Sequence, residues 1–313
     1  MKRRDLLTAA AASAASFALP AAAQARTKIL YGYTAVTDFA TVFVAAEQGH
    51  FDKRALDVEL KLVPLGSALP PALESDSLQI AGPTPPALLS AVEGGLDLVV
   101  VAGGTVSSPS STELGLVART GSGIRTAQDC VSRKIGVPGL GSALHITFRA
   151  WLMANGVDFR KVHFIEAAFP LHADMLRGGT LDAVVTAEPF LSRIVDSGIG
   201  YVASYYTTFL PPGQQKVVHA ARREWVQKNP TAARAFRDAL VEAAAFIKKP
   251  ENDAAVRAAI GKFIKLPPPV LAKIAISTPD PMVTEAQMRQ WLDMMNAQGM
   301  LKSPIDVKRL LAA

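Results

Sequence analysis

Short apolar runs alternate with helix-like segments over most of this chain. Residues 56–63 alternate apolar and polar side chains with a period of two, which is typical of a strand with one buried face. Residues 39–49 place Val42, Ala45 and Ala46 on one side of a helix. Strands are also predicted at 28–33, 78–81, 97–102, 114–118, 134–137, 162–165 and 181–185, and helices at 86–93 and 142–155. This βαβ order predicts an α/β protein with parallel sheets, in which ligands bind at the carboxyl ends of the strands.

The last third of the chain has a different pattern, because strand-like runs fade from Pro212 onward. Its apolar residues recur at helical spacing in three segments, 224–246, 253–265 and 284–298. Proline-rich stretches lie between the last two of these segments and separate them. The pattern therefore predicts a C-terminal helical tail that follows the α/β part of the chain.

The first 25 residues have the layout of a secretory signal peptide. A basic start is followed by an alanine-rich apolar stretch and by Ala23-Gln24-Ala25, an A-x-A cleavage site. The Arg3-Arg4 pair favours the twin-arginine export route. A membrane anchor is the alternative, but the apolar stretch has about the minimum spanning length and is interrupted by serines and a proline. We expect an exported, periplasmic protein that begins near Arg26.

Composition narrows the class of protein further. Without residues 1–25 the chain has 288 residues, which is enough for two domains of ordinary size. Cys130 is the only cysteine, which excludes an intramolecular disulfide and a cysteine-rich metal site. The formal net charge of +6 falls to +4 without the signal segment, and the lysines and arginines form no dense stripe. Because nucleic-acid-binding proteins concentrate their basic residues, we expect no nucleic-acid partner.

Two stretches of the chain share one pattern at the same spacing. Residues 77–80 precede Pro83-Thr84-Pro85-Pro86, and residues 180–183 precede Thr186-Ala187-Glu188-Pro189. In each stretch a short strand ends in a loop and a proline begins a helix, a position that favours proline because no intrahelical hydrogen bond is lost. The pattern fits two ordinary βα units that agree by chance, or two similar lobes whose strand-to-helix loops face one cleft.

The polar loops after the predicted strands contain the first candidate ligand contacts. Gly141 lets the backbone come close to a ligand, and Ser142 stands at the start of the following helix. A helix N-terminus exposes unpaired N–H groups and a partial positive charge, so it binds anions. Ser142 is equally well explained as a simple N-cap. Thr84 is held between Pro83 and Pro85, where its hydroxyl either donates to a ligand oxygen or belongs to a plain βα turn.

Aromatic and acidic residues supply the remaining candidates. Tyr33, beside Thr34 at the end of the first strand, and Phe39 are suited to form an aromatic wall, although both also suit core packing. Glu188, which precedes Pro189, either accepts from an amine of the ligand or remains a solvated turn residue. If Glu188 faces the ligand, a molecule with both acceptor and donor groups fits better than a simple inorganic anion.

The order of several motifs resembles that of a known family. Residues 45–51 with Leu56-Asp57-Val58-Glu59 resemble the "A-x-x-x-G-x-F … L-x-V-E" opening of the nitrate/sulfonate/taurine-type substrate-binding proteins of ABC importers. Residues 134–145 resemble the "K-I-G-V … G-S-x-x-H" pattern of that family, and residues 178–189 its "G-x-x-D-A … E-P" pattern. No single motif is very specific, but their order and spacing together are, and they extend from about residue 28 to residue 200.

The resemblance implies a type II periplasmic-binding-protein fold, in which two chain crossings join two α/β lobes. The first lobe would comprise residues 26–104 and 207–313, with the C-terminal helices, and the second lobe residues 105–206, with the crossings. The crossings themselves would lie near Gly103-Gly104-Thr105 and Ser204-Tyr205-Tyr206. Glycines suit a hinge, because a hinge must change φ and ψ when the lobes close.

The resemblance also implies a function. The protein would capture a small, anionic or zwitterionic, sulfonate-like organic solute between its lobes and deliver it to the permease of an ABC importer at the inner membrane. It would act as a monomer, with no catalytic residues, cofactor or metal. One alternative is an enzyme of pyrimidine or small-acid metabolism on the same fold, although G-x-S-x-G, H-E-x-x-H and the cysteine-rich motif of the similar thiamine-pyrimidine synthases are missing. The other is a ligand-sensing receptor component, which needs the same closing cleft.

Overall fold

The computed structural model describes residues 26–311 and arranges them in two lobes, each built on one β-sheet. The predicted signal segment lies outside these residues. The strands are β1 Thr27–Tyr33, β2 Leu56–Leu62, β3 Ile80–Ala81, β4 Leu98–Val106, β5 Leu114–Arg119, β6 Lys134–Val137, β7 His163–Glu166, β8 Ala183–Ala187, β9 Gly200–Ser204, β10 Gln215–Arg222 and β11 Thr278–Pro279. The helices are α1 Ala40–Glu47, α2 Leu69–Glu74, α3 Pro85–Glu93, α4 Ala143–Ala154, α5 His172–Arg177, α6 Phe190–Asp196, α7 Arg223–Lys228, α8 Pro230–Ile247, α9 Asp253–Phe263, α10 Pro268–Leu271 and α11 Glu285–Ala297.

The first lobe contains a six-stranded mixed sheet in the order β11-β4-β10-β3-β1-β2. Strand β1 is parallel to β2 and β3, whereas β10 is antiparallel to β3 and β4. On one face, Tyr31 of β1 packs with Phe236 of α8. On the other face, Leu69 and Leu88 pack in a second apolar cluster with Trp291 of α11. The C-terminal helices therefore complete the core of the first lobe, which the N-terminal strands begin.

The second lobe contains a five-stranded sheet in the order β7-β6-β8-β5-β9. Strand β6 is parallel to β7 and β8, and β5 is antiparallel to β8 and β9. Val184 packs in one apolar cluster with Leu176 and Ile194, whereas Val185 packs in another with Phe148. Because successive residues of a strand point to opposite faces, this sheet too is buried on both sides. Continuous apolar runs such as 183–185 follow from that double burial.

The chain passes between the lobes twice, once between β4 and β5 and once between β9 and β10. The predicted α/β architecture with two crossings is confirmed. Gly103 and Gly104, however, lie inside β4 rather than at a crossing. Ser204 is the last residue of β9, so the second crossing begins at Tyr205. The glycines in β4 serve close packing instead, because β10 and the segment before α11 approach their backbone directly.

The fading strand pattern after Pro212 does not reveal β10, which lies between β3 and β4 in the first sheet. This strand has polar residues at buried positions, so its sequence lacks the apolar pattern that is typical of an interior strand. They are Gln215, Lys216 and His219. Each has a specific partner: the Gln215 amide donates to Met282 O at 2.7 Å, the Lys216 ammonium to Glu113 Oε1 at 2.5 Å, and the His219 ring bonds to the Tyr31 hydroxyl at 2.7 Å. Strand β9 was not predicted either.

The helix predicted at 224–246 is in fact two helices, α7 and α8. The break falls at Asn229, whose φ of −129° and ψ of 50° are not helical. Pro230 explains the break, because a proline disfavours the helical conformation of the residue before it. Across residues 26–311, none of the helices combines the length and the apolar character needed to cross a membrane.

The close packing of Gly103 leads to a stability prediction. A Cβ atom at this position would lie 2.5 Å from the carbonyl oxygen of Asp280 and 2.6 Å from that of Met282. We expect Gly103→Ala to lower the free energy of unfolding by about 1–3 kcal/mol, because backbone atoms must shift. Gly139→Ala is the matched control, since its Cβ would meet nothing closer than 3.5 Å. Urea denaturation midpoints measure both, and equal midpoints for the two variants would contradict this account.

Candidate ligand-binding site

A cavity of about 70 Å³ lies where the two lobes meet. From the first lobe and the second crossing it is lined by Thr34, Val36, Asp38, Phe39, Gly66, Ser67, Leu69, Gly82, Thr84, Ala87, Thr207, Leu210, Lys216, Val217 and Trp291. From the second lobe it is lined by Leu114, Pro138, Gly139, Leu140, Ser142, Ala143, Leu144, Thr147 and Phe169. The lining is mostly apolar with a few polar groups, which is the usual character of a small-molecule site. Its volume is enough for several waters or one small organic molecule.

Four of the ten predicted site residues line this cavity, namely Thr34, Phe39, Thr84 and Ser142. Thr84 and Ser142 come from opposite lobes and meet at the N-terminus of α4. The Thr84 hydroxyl oxygen accepts from the Ala143 N–H at 3.2 Å, and the Ser142 hydroxyl oxygen accepts from the His145 N–H at 3.5 Å. Because both oxygens accept there, each hydroxyl keeps its hydrogen for an acceptor elsewhere. Ser142 is thus an N-cap and a wall of the cavity at once.

The other six predicted residues do not line the cavity. The Tyr33 ring packs edge-on against Phe43, and its hydroxyl donates to Phe263 O at 3.3 Å. Tyr33 is therefore a core residue of the first lobe rather than a wall of the cavity. The remaining five lie in the adjoining loops and helix ends: Pro83, Pro85, Gly141, Glu188 and Pro189.

The carboxylate of Glu188 contacts its own helix α6 instead of the cavity. It accepts from the N–H and the hydroxyl of Ser192 at 3.2 and 2.6 Å. Burial raises the pKa of Glu188, although the two bonds from Ser192 act in the opposite direction. Its backbone oxygen does reach the other lobe, where it accepts from the Thr37 N–H at 3.2 Å. Glu188 thus joins the lobes through its main chain.

A buried charge cluster that the sequence did not predict borders the cavity. The ammonium of Lys216 in β10 lies 2.5 Å from Glu113 Oε1, 3.2 Å from Asp38 Oδ1 and 3.3 Å from the Ser277 hydroxyl. Asp38 Oδ1 also accepts from the Thr105 hydroxyl at 2.7 Å. Lys216 and Asp38 belong to the first lobe and line the cavity, whereas Glu113 immediately precedes β5 of the second lobe. The cluster therefore joins the lobes beside the cavity.

The surroundings of Lys216 keep its side chain protonated. Burial alone lowers the pKa of an ammonium, but the carboxylates of Asp38 and Glu113 outweigh burial and raise the pKa of Lys216. Three oxygens lie within 3.3 Å of its nitrogen, one for each N–H. With two carboxylates and one ammonium, the cluster carries a net negative charge. In the sequence, the cluster is indicated only by a lysine next to the apolar residues of β10. A lysine at that position also fits a strand with an exposed face.

Polar groups at the rim and in the crossing complete the site. The Ser67 hydroxyl of the first lobe donates to Glu166 Oε1 at 3.1 Å, and the Leu140 N–H donates to Glu166 Oε2 at 2.8 Å. Thr207 lies in the second crossing, and its buried hydroxyl has no hydrogen-bond partner among residues 26–311. An unpaired buried hydroxyl is costly, so this group is a polar atom in the wall of the cavity that the described residues leave unsatisfied.

The described residues around the cavity do not bring together side chains that could bind a metal ion or act as a thiol nucleophile. Within residues 26–311, His, Cys, Asp and Glu side chains form no group of three or more that could hold a metal ion. The described lining of the cavity contains neither histidine nor cysteine. Cys130 is buried in the second lobe, where burial raises the pKa of its thiol to about 12. A thiol with that pKa is not a nucleophile at neutral pH.

Two α/β lobes joined by two chain crossings, with a cavity between them, define the fold class, and comparison with a solved structure agrees. The alkanesulfonate-binding protein SsuA from Xanthomonas axonopodis pv. citri, bound to MOPS, superimposes with a TM-score of 0.76 and 17% sequence identity. The match covers 91% of this chain and 98% of that one. The predicted type II periplasmic-binding-protein fold is confirmed.

This chain belongs to the NMT1-like family, whose model matches residues 22–261. The nitrate/nitrite binding protein NrtA of Nostoc sp. is 27% identical over 252 residues, which cover 72% of this chain and 55% of that protein. A putative thiamine biosynthesis protein of Haemophilus influenzae is 28% identical over 244 residues, covering 75% and 73%. The chain spans about half the length of NrtA. These similarities confirm the predicted family resemblance.

His145 connects the pH dependence of stability to the wall of the cavity. Its ring nitrogen Nδ1 accepts from the Gly141 N–H at 2.9 Å, just before α4. Burial, aided by the nearby charge of Arg149, lowers the pKa of His145 to about 3. The folded protein therefore holds a neutral imidazole at pH values where the unfolded chain, with a pKa of about 6.5, is protonated. The stability from this group is complete above about pH 6.5 and is lost as the pH falls toward 3.

We expect His145→Asn to reduce the loss of stability between pH 6.5 and 4. An asparagine oxygen can replace Nδ1 as acceptor but takes up no proton, which removes a slope of up to about 1.4 kcal/mol per pH unit. Melting temperatures of wild type, His145→Asn and the exposed control His163→Asn, measured across this range, test the expectation. If wild type and His145→Asn lose stability in parallel, the imidazole is not the cause.

Proposed function

We propose that this chain is the solute-binding component of an ABC import system and captures a small organic solute between its lobes. The observation that carries the proposal is the cavity at the junction, to which each lobe contributes polar groups at the ends of its strands. A ligand that contacts both lobes favours their closed arrangement, and a permease can distinguish that arrangement from the open one. The relatives whose names describe nitrate and alkanesulfonate binding support the same role.

The acidic group of an anionic or zwitterionic, sulfonate-like solute would bind at the N-terminus of α4. This helix has 12 residues, so its positive end favours a negative group there. The free hydroxyl hydrogens of Thr84 and Ser142 supply two further donors from opposite lobes. The apolar walls, which include Phe39 and Leu114, suit the carbon skeleton of such a solute.

Transport also defines a partner and a location for the protein. We propose that it acts as a monomer in the periplasm, after export directed by its N-terminal segment, and that its partner is the permease of an importer. Contacts such as Ser67 to Glu166 and Thr84 to Ala143 bridge the lobes around the cavity. Closing the lobes therefore changes the outer surface around the cleft, which is the surface that a permease would contact.

An enzyme of pyrimidine metabolism is the second candidate, because the chain resembles a putative thiamine biosynthesis protein. Such chemistry needs a nucleophile or a base beside the substrate. Lys216 is the basic residue of the described lining, and the two carboxylates keep it protonated and fully hydrogen-bonded. The Lys216 amine is therefore no nucleophile, which leaves Asp38 as the side chain of the described lining that could act as a base. Mass spectrometry of pyrimidine probes after prolonged incubation separates the two, since only an enzyme changes their mass.

We expect Thr84→Ala and Ser142→Ala each to weaken solute binding about tenfold, because each removes one hydroxyl donor worth about 1–1.5 kcal/mol. A thermal-shift screen against sulfonates, nitrate, amino-sulfonates, pyrimidines and aromatic carboxylates identifies a binding class, since a ligand of the native state raises the melting temperature. Calorimetric titration then measures the variants. Ser75→Ala, which removes an exposed hydroxyl outside the cavity, is the control. Unchanged affinity in both cavity variants would rule out this site.

A further inference from the structure

One oxygen of the buried charge cluster is left without a donor. Asp38 Oδ1 receives the Thr105 hydroxyl and faces the Lys216 ammonium, whereas Oδ2 forms no hydrogen bond with any residue in 26–311. Lys216 is not free to supply one, because Glu113 and Ser277 occupy its other N–H groups. Asp38 is only 5% exposed and lines the cavity. A carboxylate oxygen with unused acceptor capacity therefore borders the space in which a solute would lie.

The net negative charge of the cluster determines which ligand groups this oxygen of Asp38 favours. Two carboxylates share one ammonium, and Lys216 is the sole basic side chain in the described lining of the cavity. A buried negative charge that is not fully compensated is unfavourable, and a positively charged or N–H-bearing ligand group relieves it. A second negative charge placed beside it would be repelled, most strongly in an apolar cavity where screening is weak. This part of the cavity thus disfavours a plain anion.

Thr207 is a second, independent indication that a solute in the cavity forms a hydrogen bond with the protein. Its residue is only 3% exposed, its hydroxyl has no partner within residues 26–311, and it lines the same cavity. A hydroxyl both donates and accepts, so it can bond to an amine, an amide or a ring nitrogen of a solute. The wall of the cavity therefore contains an unpaired hydroxyl in addition to the Asp38 carboxylate and the hydroxyls at the N-terminus of α4.

We infer that Asp38 is a specificity-determining residue, which binds a hydrogen-bond-donating nitrogen of the solute, preferably a protonated amine. The acidic group of the same molecule lies at the N-terminus of α4, so the substrate class is a small zwitterion such as an amino-sulfonate or an amino-carboxylate. Nitrate, bicarbonate and amine-free sulfonates are discriminated against. This assignment rests on the proposed function, because it names the solute class of the same cavity.

Matched pairs of probes test the inference on the wild-type protein. Taurine differs from ethanesulfonate, and β-alanine from propionate, by one amino group, and nitrate represents an anion without carbon. Calorimetric titration should show the amine-bearing member of a pair binding at least tenfold more tightly than its partner. Equal or tighter binding of ethanesulfonate, propionate or nitrate would overturn the role of Asp38 while leaving the solute-binding function intact. If neither these probes nor any compound of the thermal-shift panel binds, both proposals fail.

Asp38→Asn then assigns the preference to one side chain. The substitution keeps the shape of Asp38 but removes its charge, so the preference for taurine over ethanesulfonate should fall at least tenfold while ethanesulfonate binds as well or better. Asp174→Asn, which removes an exposed carboxylate of α5, should keep the wild-type preference. Circular dichroism establishes that each variant is folded. If Asp38→Asn does not fold, the titrations of the matched probe pairs with the wild-type protein still decide the inference. A preference that survives in folded Asp38→Asn would contradict the assignment.

Discussion

The contact between Lys216 and the carboxylates of Asp38 and Glu113 determines how the two lobes meet. These groups are buried, and they come from β10, from the loop after β1 and from the residue before β5. A buried ion pair contributes modest stability as a whole, but the loss of one partner leaves a bare charge at a cost of about 3–5 kcal/mol. The cluster therefore favours an arrangement in which the two lobes meet beside the cavity.

The remaining polar groups reach the cavity because of strand direction. The loops after β1, β2 and β3 supply Asp38, Ser67 and Thr84, and the loop after β6 supplies Ser142. In parallel sheets the carboxyl ends of neighbouring strands lie along one edge, so these loops converge. Strand β10 runs antiparallel and therefore begins at that edge, which is why Lys216, near its start, meets them. One topological rule thus accounts for both the neutral and the charged parts of the site.

Local patterns predicted this fold well wherever burial follows hydrophobicity. Strands β1, β2 and β6 and helix α4 were predicted within two residues, because their apolar positions repeat with the right period. Strand β10 was missed because Gln215, Lys216 and His219 are buried by specific partners far away in sequence. The site shows the same division: Thr84 and Ser142 follow from loop chemistry, whereas Asp38 depends on three elements that only the folded chain brings together. Glu188 was predicted as a possible acceptor for a ligand amine, but its carboxylate accepts from Ser192 of its own helix instead.

The position of β10 has a consequence for the order of assembly. All five strands of the second lobe lie between Leu114 and Ser204, so its sheet can form from one continuous stretch of chain. The first lobe cannot complete its sheet in that way. Strands β3 and β4 are joined only through β10, which lies between them and follows the entire second lobe in the chain. Contacts between distant segments form more slowly than local ones, since a longer loop must be closed. The topology thus lets the second lobe form its sheet from local contacts, whereas the first lobe, together with the cavity, needs a strand that follows the whole of the second lobe.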